Sequence, residues 1–320
     1  MKIRTLILAA CLILTLGIWL PAAAGRPVRI AYLQADIHQL ASWVAMEKGF
    51  YRAQGLEVKV AGIFKAGPEE MSAFAAGELD MGYVGEAPAT VAVANHAARV
   101  QACAQVNTEG SAIVVAAGSP IKTVAQLAGK TVAVPGHSTV QDFLLKKALS
   151  QAGLAADKVK IIVLKPPEMI GALRTGQIDA FIAWEPYPAK AQTMKVGRVL
   201  IASGRIWKDH PCCILAVDQR FLKARPQAVK KMVKAHVQAT DFINRHPQQA
   251  LKIGMKYTGM DADTVRLAMK NVNYTYRLSV DGERQYVEFL SRLGYIKVKD
   301  SRAFVAGFLN TKILEELTGK

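Results

Sequence analysis

Residues 67–88 read GPEEMSAFAAGELDMGYVGEAP, and further along residues 165–186 read KPPEMIGALRTGQIDAFIAWEP. At an offset of 99 positions Pro68 matches Pro167, Glu69 matches Glu168, Ala73 matches Ala172, Gly77 matches Gly176, Asp80 matches Asp179 and Glu86 matches Glu185. Each proline suits the first turn of a helix, where its missing N–H costs nothing, and each glycine suits the C-terminal cap. Each aspartate then leads into a short apolar strand, and an acid follows nine residues after the glycine. Proline-start and glycine-stop are general helix punctuation, but the acid at that distance is not. The echo predicts two similar α/β lobes.

Outside the echo, short apolar runs alternate with helical patterns. VRIAYL, LEVKVAGI, LDMGYV and RVQACAQV in the first part have counterparts in TVAVP, VKIIVL, IDAFIAW and RVLIAS. Alternation of this kind implies mostly parallel sheets with helices on both faces. Two continuous apolar runs, SAIVVAAG (111–118) and CCILAVD (212–218), read as buried strands where the chain crosses between lobes. Lobe one is therefore expected to comprise residues 25–113 and 212–320, and lobe two residues 114–211. After residue 218 the pattern turns helical, with Val229, Met232, Val233, His236, Val237 and Thr240 at three-four spacing. This tail is expected to pack on lobe one.

At 320 residues and 51% hydrophobic, the chain can bury a large core and favours two domains. Its start is of another kind. MKIR is basic, Leu6 to Leu20 is an apolar run of 15 residues, and PAAAG follows, the pattern of a secretory signal cut after Ala24. A lipoprotein box ending at Cys11 and an uncleaved anchor are the rival readings, and all three place the protein outside the cytoplasm. Without Lys2 and Arg4 there are 39 basic and 25 acidic residues, a net of +14. The cations are scattered, with LKKAL, VKKMVK and IKVKD the densest groups, so a solvated basic surface is favoured over nucleic-acid binding. Cys103, Cys212 and Cys213 remain, read first as small buried thiols, with a disulfide from Cys103 to one of the pair as the alternative.

Open α/β sheets bind ligands at the carboxyl ends of their strands. Gly85 and Glu86 of lobe one and Trp184 and Glu185 of lobe two fall at such ends and would face each other across a cleft. Gln34, Asp36 and His38 follow the first strand, Gly67 precedes a helix, and Gly136, His137, Ser138 and Thr139 open another. Three helix starts aimed at one cleft would make an anion site, although Ser138 or Thr139 can equally cap its own helix. Asp36, Glu86 and Glu185 would repel a simple anion, so a ligand that also carries an amino or amidine group fits better; the two glutamates can also be acids favoured at helix starts. Trp184 needs a partner for its indole N–H. His96, His236 and His246 read as structural or solvated. His210 with Cys212 and Cys213 could hold a metal, but no second pair at zinc spacing accompanies them, and neither a metal nor another cofactor is expected. A nucleophile elbow, HExxH, a phosphate loop and a clean GxGxxG are all missing from the sequence, so an enzyme is not expected.

GELDMGYVGEAP (77–88), SPIKTVAQLAGKTVAVPGHSTVQDFLLKKAL (119–149) and GQIDAFIAWEPY (176–187) resemble, in order and spacing, the periplasmic binding proteins of ABC importers for nitrate, sulfonate and taurine. The resemblance covers roughly residues 28–250. It implies two lobes closing on a small solute that is handed to a membrane permease and its ATPase, by a monomer in the periplasm. It also implies that Gln34, Gly85, Glu86, Ser138, Thr139, Trp184 and Glu185 line the site. Two segments depart from the pattern. LQADIHQL (33–40) replaces the small-residue turn of many sulfonate binders, and DHPCCILAV (209–217) is similar to cysteine-rich segments of thiamine-pyrimidine synthases. The second departure keeps two alternatives open: a pyrimidine-precursor ligand, or an enzyme on the same fold using His210, Cys212 and Cys213. A sensor's input partner is a third role that binding alone would serve.

Overall fold

The computed structural model describes residues 26–319; the signal segment and the Cys11 lipoprotein box lie outside them. Two sheets organise these residues. Lobe one is built on β1 (Val28–Leu33), β2 (Val58–Phe64), β3 (Met81–Gly85) and β4 (Val100–Glu109). Lobe two follows with β5 (Ser111–Ala116), β6 (Thr131–Val134), β7 (Lys160–Val163), β8 (Ala180–Trp184) and β9 (Gly197–Ala202). The chain then returns through β10 (Pro211–Asp218) and adds β11 (Val272–Tyr274) to the first sheet. The strand orders are β11-β4-β10-β3-β1-β2 and β7-β6-β8-β5-β9.

As expected, most strands of each sheet run the same way, four of six in lobe one and four of five in lobe two, and both sheets also carry reversed strands. β1 pairs in parallel with β2 and β3, and β6 with β7 and β8, but β10 runs antiparallel between β3 and β4, and β5 runs antiparallel between β8 and β9. The reason is where the chain crosses. The parallel strands end at the cleft, so a chain arriving from the other lobe enters at that end and must run the opposite way. SAIVVAAG and CCILAVD are the first strands on the far side of each crossing, and apart from Ala116 their strand residues are buried. The first crossing turns at Gly110, in the left-handed region at φ +86°.

The sequence echo has a structural counterpart. Helices Gly67–Ala75 and Pro166–Arg174 each carry proline in the first turn, and Gly77 and Gly176 close them at φ +75° and +72°. Asp80 N donates to Arg29 O while Arg29 N donates to Asp80 Oδ2, both at 2.9 Å. Asp179 makes the same reciprocal pair with Thr131, at 2.9 and 2.8 Å. The aspartate therefore fixes the register between the last parallel strand and the one beside it in both lobes. Asp80 also receives the Arg26 and Arg29 guanidinium groups.

The tail docks on more than lobe one. Helix Pro226–Arg245 buries Val229, Met232, Val233, His236 and Thr240 against it as the spacing predicts. Helix Ala262–Lys270, however, meets lobe two through the Thr193–Thr264 hydroxyl bond of 2.7 Å and the 2.8 Å pair of Lys190 with Asp261 at its N-cap. Helix Val280–Arg292 places Tyr286 and Phe289 on Phe143 of lobe two, with ring centroids 4.4 and 4.8 Å away. Two such aromatic pairs contribute roughly 1–3 kcal/mol, the scale that separates open from closed conformers in two-state proteins. The spacing of apolar residues shows which helix face is buried but not which lobe covers it. Among the described residues no helix is long and apolar enough to cross a membrane.

Burial pushes the Asp80 carboxyl up, but the hydrogen bonds from Arg26 and Arg29 outweigh it and hold it at about 2. Its stabilisation is therefore present above the usual carboxylate range and is lost as pH falls toward 2. Asp80→Asn is expected to cost roughly 1–2 kcal/mol at pH 7, discounted for the half-exposed arginines, and to flatten the acid limb of stability between pH 4 and 2. Asp179→Asn, whose carboxylate is partly exposed, should cost less. Denaturant unfolding at several pH values checks both.

Candidate functional site

The parallel strands of both lobes end at a common cleft. Lobe one contributes Asp36 and His38 after β1, Gly67, Gly85 at the end of β3, and Cys212 and Cys213 opening β10; lobe two contributes Thr139, Gln141 and Trp184. These groups close on about 10 Å³, space for about one water molecule. Outside this lies a mouth of about 230 Å³ lined by Gln34, Lys65, Lys165, Glu168, Trp184 and Tyr187. A salt bridge from Lys165 to Glu69 joins the two lobes.

Three helices begin at this cavity: Gly67–Ala75, Glu86–Ala94 after its N-cap Gly85, and Val140–Gln151 after its N-cap Thr139. Neither Ala66 nor Gly85, the first two N-caps, supplies a side-chain acceptor, so the positive ends of these two helices carry no side-chain cap. Thr139 accepts Asp142 N at 3.2 Å and donates to Gly136 O at 2.7 Å, so it caps its own helix while also lining the cavity. Ser138, at φ +62°, donates its amide to Asp142 Oδ2 and is not a cavity wall. Trp184 lines both cavity and mouth, and its buried Nε1 has no partner among the described residues.

Glu86 and Glu185, expected at the cleft, are buried but line neither space. Glu86 Oε2 accepts Gln105 Nε2 at 2.9 Å, and the Glu86 carboxyl is hydrogen-bonded to that of Glu283 in the tail. Glu185 accepts Ala189 N at 3.0 Å and Asn271 Nδ2 at 2.6 Å. Each echoed acid thus ties the tail to its own lobe. The tail partners are distant in sequence, Asn271 lying 86 residues from Glu185 and Glu283 farther still from Glu86, so local pattern does not reveal them.

Beneath the cleft sits a buried ionisable cluster. Burial raises the Asp36 carboxyl to about 7, with His38 offsetting part of the effect. Burial lowers the His38 imidazole, but Cys212 and Asp36 more than compensate and raise it to about 9. Burial would raise the Cys212 thiol; the hydrogen bond from Cys213 and the His38 charge instead hold it well below the thiol range, while Cys213 is pushed well above it, first by burial and then by Cys212. The Cys212 thiol and the His38 imidazole thus shift in opposite directions because each favours the charged form of the other. Glu70 is also buried, with neither oxygen partnered among the described residues, and burial together with Asp36 pushes its carboxyl well above the usual carboxylate range.

The cysteines are paired with a different histidine from the one beside them in sequence. Cys212 Sγ and Cys213 Sγ lie 3.4 and 3.8 Å from His38 Nδ1. His210 instead donates Nδ1–H to Pro211 O at 3.1 Å. The cysteines are free thiols, and Cys103, expected as a possible disulfide partner, is free as well.

Two mixed α/β sheets facing across a closed cleft, with helix starts converging on it, define the fold of a two-lobed periplasmic binding protein. The chain belongs to the NMT1-like family, which matches residues 22–254. It is 31% identical over 274 residues to a protein of Brucella abortus (strain 2308) named as a binding protein, an alignment covering 85% of this chain and 83% of the relative. A protein of Bacillus subtilis (strain 168) named as an aliphatic sulfonates-binding protein is 29% identical over 331 residues, covering 99% and 98%. Among solved structures, the alkanesulfonate-binding protein SsuA from Xanthomonas axonopodis pv. citri bound to MOPS superposes with a TM-score of 0.78 at 20% identity, covering 91% of this chain and 100% of that one. The nitrate-binding protein NrtA from Synechocystis PCC 6803 gives 0.78 at 18% identity, covering 92% and 88%. These structural likenesses establish the fold.

Burial raises the Glu86 carboxyl to about 7, although Glu283 and Gln105 partly counter it. A carboxyl raised on folding stabilises below its unfolded value near 4.5 and loses that contribution as pH rises through 7. In Glu86→Gln the amide can donate to Glu283 without a titrating proton. This variant is expected to gain roughly 1–3 kcal/mol relative to the parent between pH 5 and 8, read from denaturant midpoints at both pH values.

Proposed function

We propose that this chain is the extracytoplasmic solute-binding component of an ABC importer, capturing a small organic anion or zwitterion of the sulfonate, taurine and nitrate class in the interlobe cleft and passing it to a permease and ATPase. The observation that carries this reading is the convergence of three helix N-termini on one cavity. Amides at such ends and the helix dipoles bind sulfonate, carboxylate or nitrate oxygens without a cation. The unpartnered Trp184 N–H adds a donor, and Lys65 and Lys165 flank the mouth from opposite lobes. The Asp36 carboxyl beside the anion site favours a ligand that also carries an amino group. The names of the sulfonate- and nitrate-binding relatives support the same class, and binding, not turnover, is the role assigned.

In this reading capture requires the lobes to part, because a cavity of about 10 Å³ holds no such solute. Breaking the Lys165–Glu69 bridge opens the mouth, and closure over the ligand remakes it. The permease would then recognise the closed pair of lobes.

Protein unfolded and refolded to strip carried solute is expected to show a thermal shift with one class among taurine, alkanesulfonates, nitrate, bicarbonate and aminopyrimidines. Ligand at a hundredfold over its Kd adds about 2.7 kcal/mol. Trp184→Phe should weaken that ligand about 10-fold or more, the loss of one hydrogen bond to a charged group. Silence across the whole panel, or unchanged affinity in Trp184→Phe, would sink the reading.

A further inference from the structure

Of the groups in the cleft, the cysteine pair has no role in capturing an anion. We propose that His38, Cys212 and Cys213 form a binding site for a thiophilic divalent cation, Zn(II) in type, on the floor of the interlobe cleft. The His38 nitrogen and the two sulfurs lie within 4.8 Å of one another, and all three side chains are buried. Zn–S bonds of about 2.3 Å and Zn–N bonds of about 2.05 Å at tetrahedral angles place sulfur and nitrogen about 3.6 Å apart. The two observed separations, 3.4 and 3.8 Å, bracket that value.

Two features of the backbone produce this geometry. Successive residues of a regular strand point to opposite faces, so adjacent cysteines should not reach one target. Here β10 departs from register against β4, where Pro211 pairs with Thr108 and Cys213 with Asn107, and Cys212 is left over. A bulge of this kind re-aims side chains, and both sulfurs turn to His38. The imidazole, in turn, is held by its other nitrogen: Nε2 donates to Gly110 O at 2.7 Å. A backbone carbonyl on the far nitrogen is the usual second support of a metal-binding histidine, fixing the ring so that Nδ1 faces the ion.

Charge decides which ion. In a buried site two thiolates and a neutral imidazole balance a dication, whereas a monocation would leave a net negative charge out of water. The three donors line the cavity, so the fourth position of a tetrahedral ion faces Asp36 and the cleft. His210, the histidine nearest to the cysteines in sequence, is not part of the set.

The test is metal binding by the full chain, reduced and chelator-stripped, with Zn(II) as titrant and Co(II) as spectroscopic probe. One equivalent of Zn(II) is expected, with thiolate-to-cobalt charge transfer and the visible bands of a tetrahedral Co(II) site. His38→Gln, Cys212→Ala and Cys213→Ser should each weaken Zn(II) by more than about a hundredfold, beyond what loss of a supporting residue causes. Cys103→Ser and His210→Gln should retain one equivalent. Less than half an equivalent on the folded, reduced parent chain would overturn the proposal, as would binding indifferent to the three ligand substitutions or abolished by His210→Gln. These readouts need no solute, so they stand or fall apart from the anion-capture reading.

Discussion

The carbonyl oxygen of Gly110 is the point at which the two lobes are tied together. It accepts Glu185 N at 2.8 Å and His38 Nε2 at 2.7 Å, joining the crossing peptide to lobe two and to the loop after β1. Glu185 O accepts Ile37 N at 3.2 Å and completes the circuit. The position is confined to glycine twice over, since its φ is +86° and a Cβ there would lie 2.4 Å from His38 Nε2. The strand directions follow from this crossing, because a chain entering each sheet at the cleft must run against its neighbours. The orientation of His38 over the cysteines follows from it too.

Around that crossing the protein buries an unusual set of acids. Asp36, Glu70, Glu86, Glu185 and Glu283 are each 1% exposed or less, and none has a lysine or arginine partner among the described contacts. Isolated carboxylates in such surroundings are costly, so the favoured state is protonated or hydrogen-bonded. Glu86 shares a hydrogen bond with Glu283, and Glu185 takes donors from Asn271 and its own helix. The C-terminal tail is thereby bound to both lobes by polar contacts whose strength depends on proton occupancy, and its aromatic residues add packing on Phe143. The tail's helices thus span both lobes in one packed arrangement.

Much of the fold was legible in the sequence because it rests on local rules. Proline at helix starts, glycine at helix ends and an aspartate binding back to the adjacent strand recur at fixed spacing, and the recurrence alone indicated two lobes. The convergence of Gly67, Gly85 and Thr139 on one cavity also followed, since strand ends and helix starts occupy set places in an α/β sheet. The echoed glutamates looked like ligand contacts for the same reason. Position at a strand end says where the backbone lies, not which way a side chain turns, and Glu86 and Glu185 turn inward.

By itself, then, the sequence determined the alternation of strands and helices, the doubling of the lobe and the neighbourhood of the cleft, all consequences of short-range backbone preference and burial periodicity. The tertiary structure alone decided the mixed strand directions, the tail's hold on both lobes and the choice of His38 over His210 beside the cysteines. His38 and Cys212 are 174 residues apart, and the bulge that brings both sulfurs to one side depends on pairing with two neighbouring strands. Such contacts are set by how the sheets assemble, and no local pattern of residues encodes them.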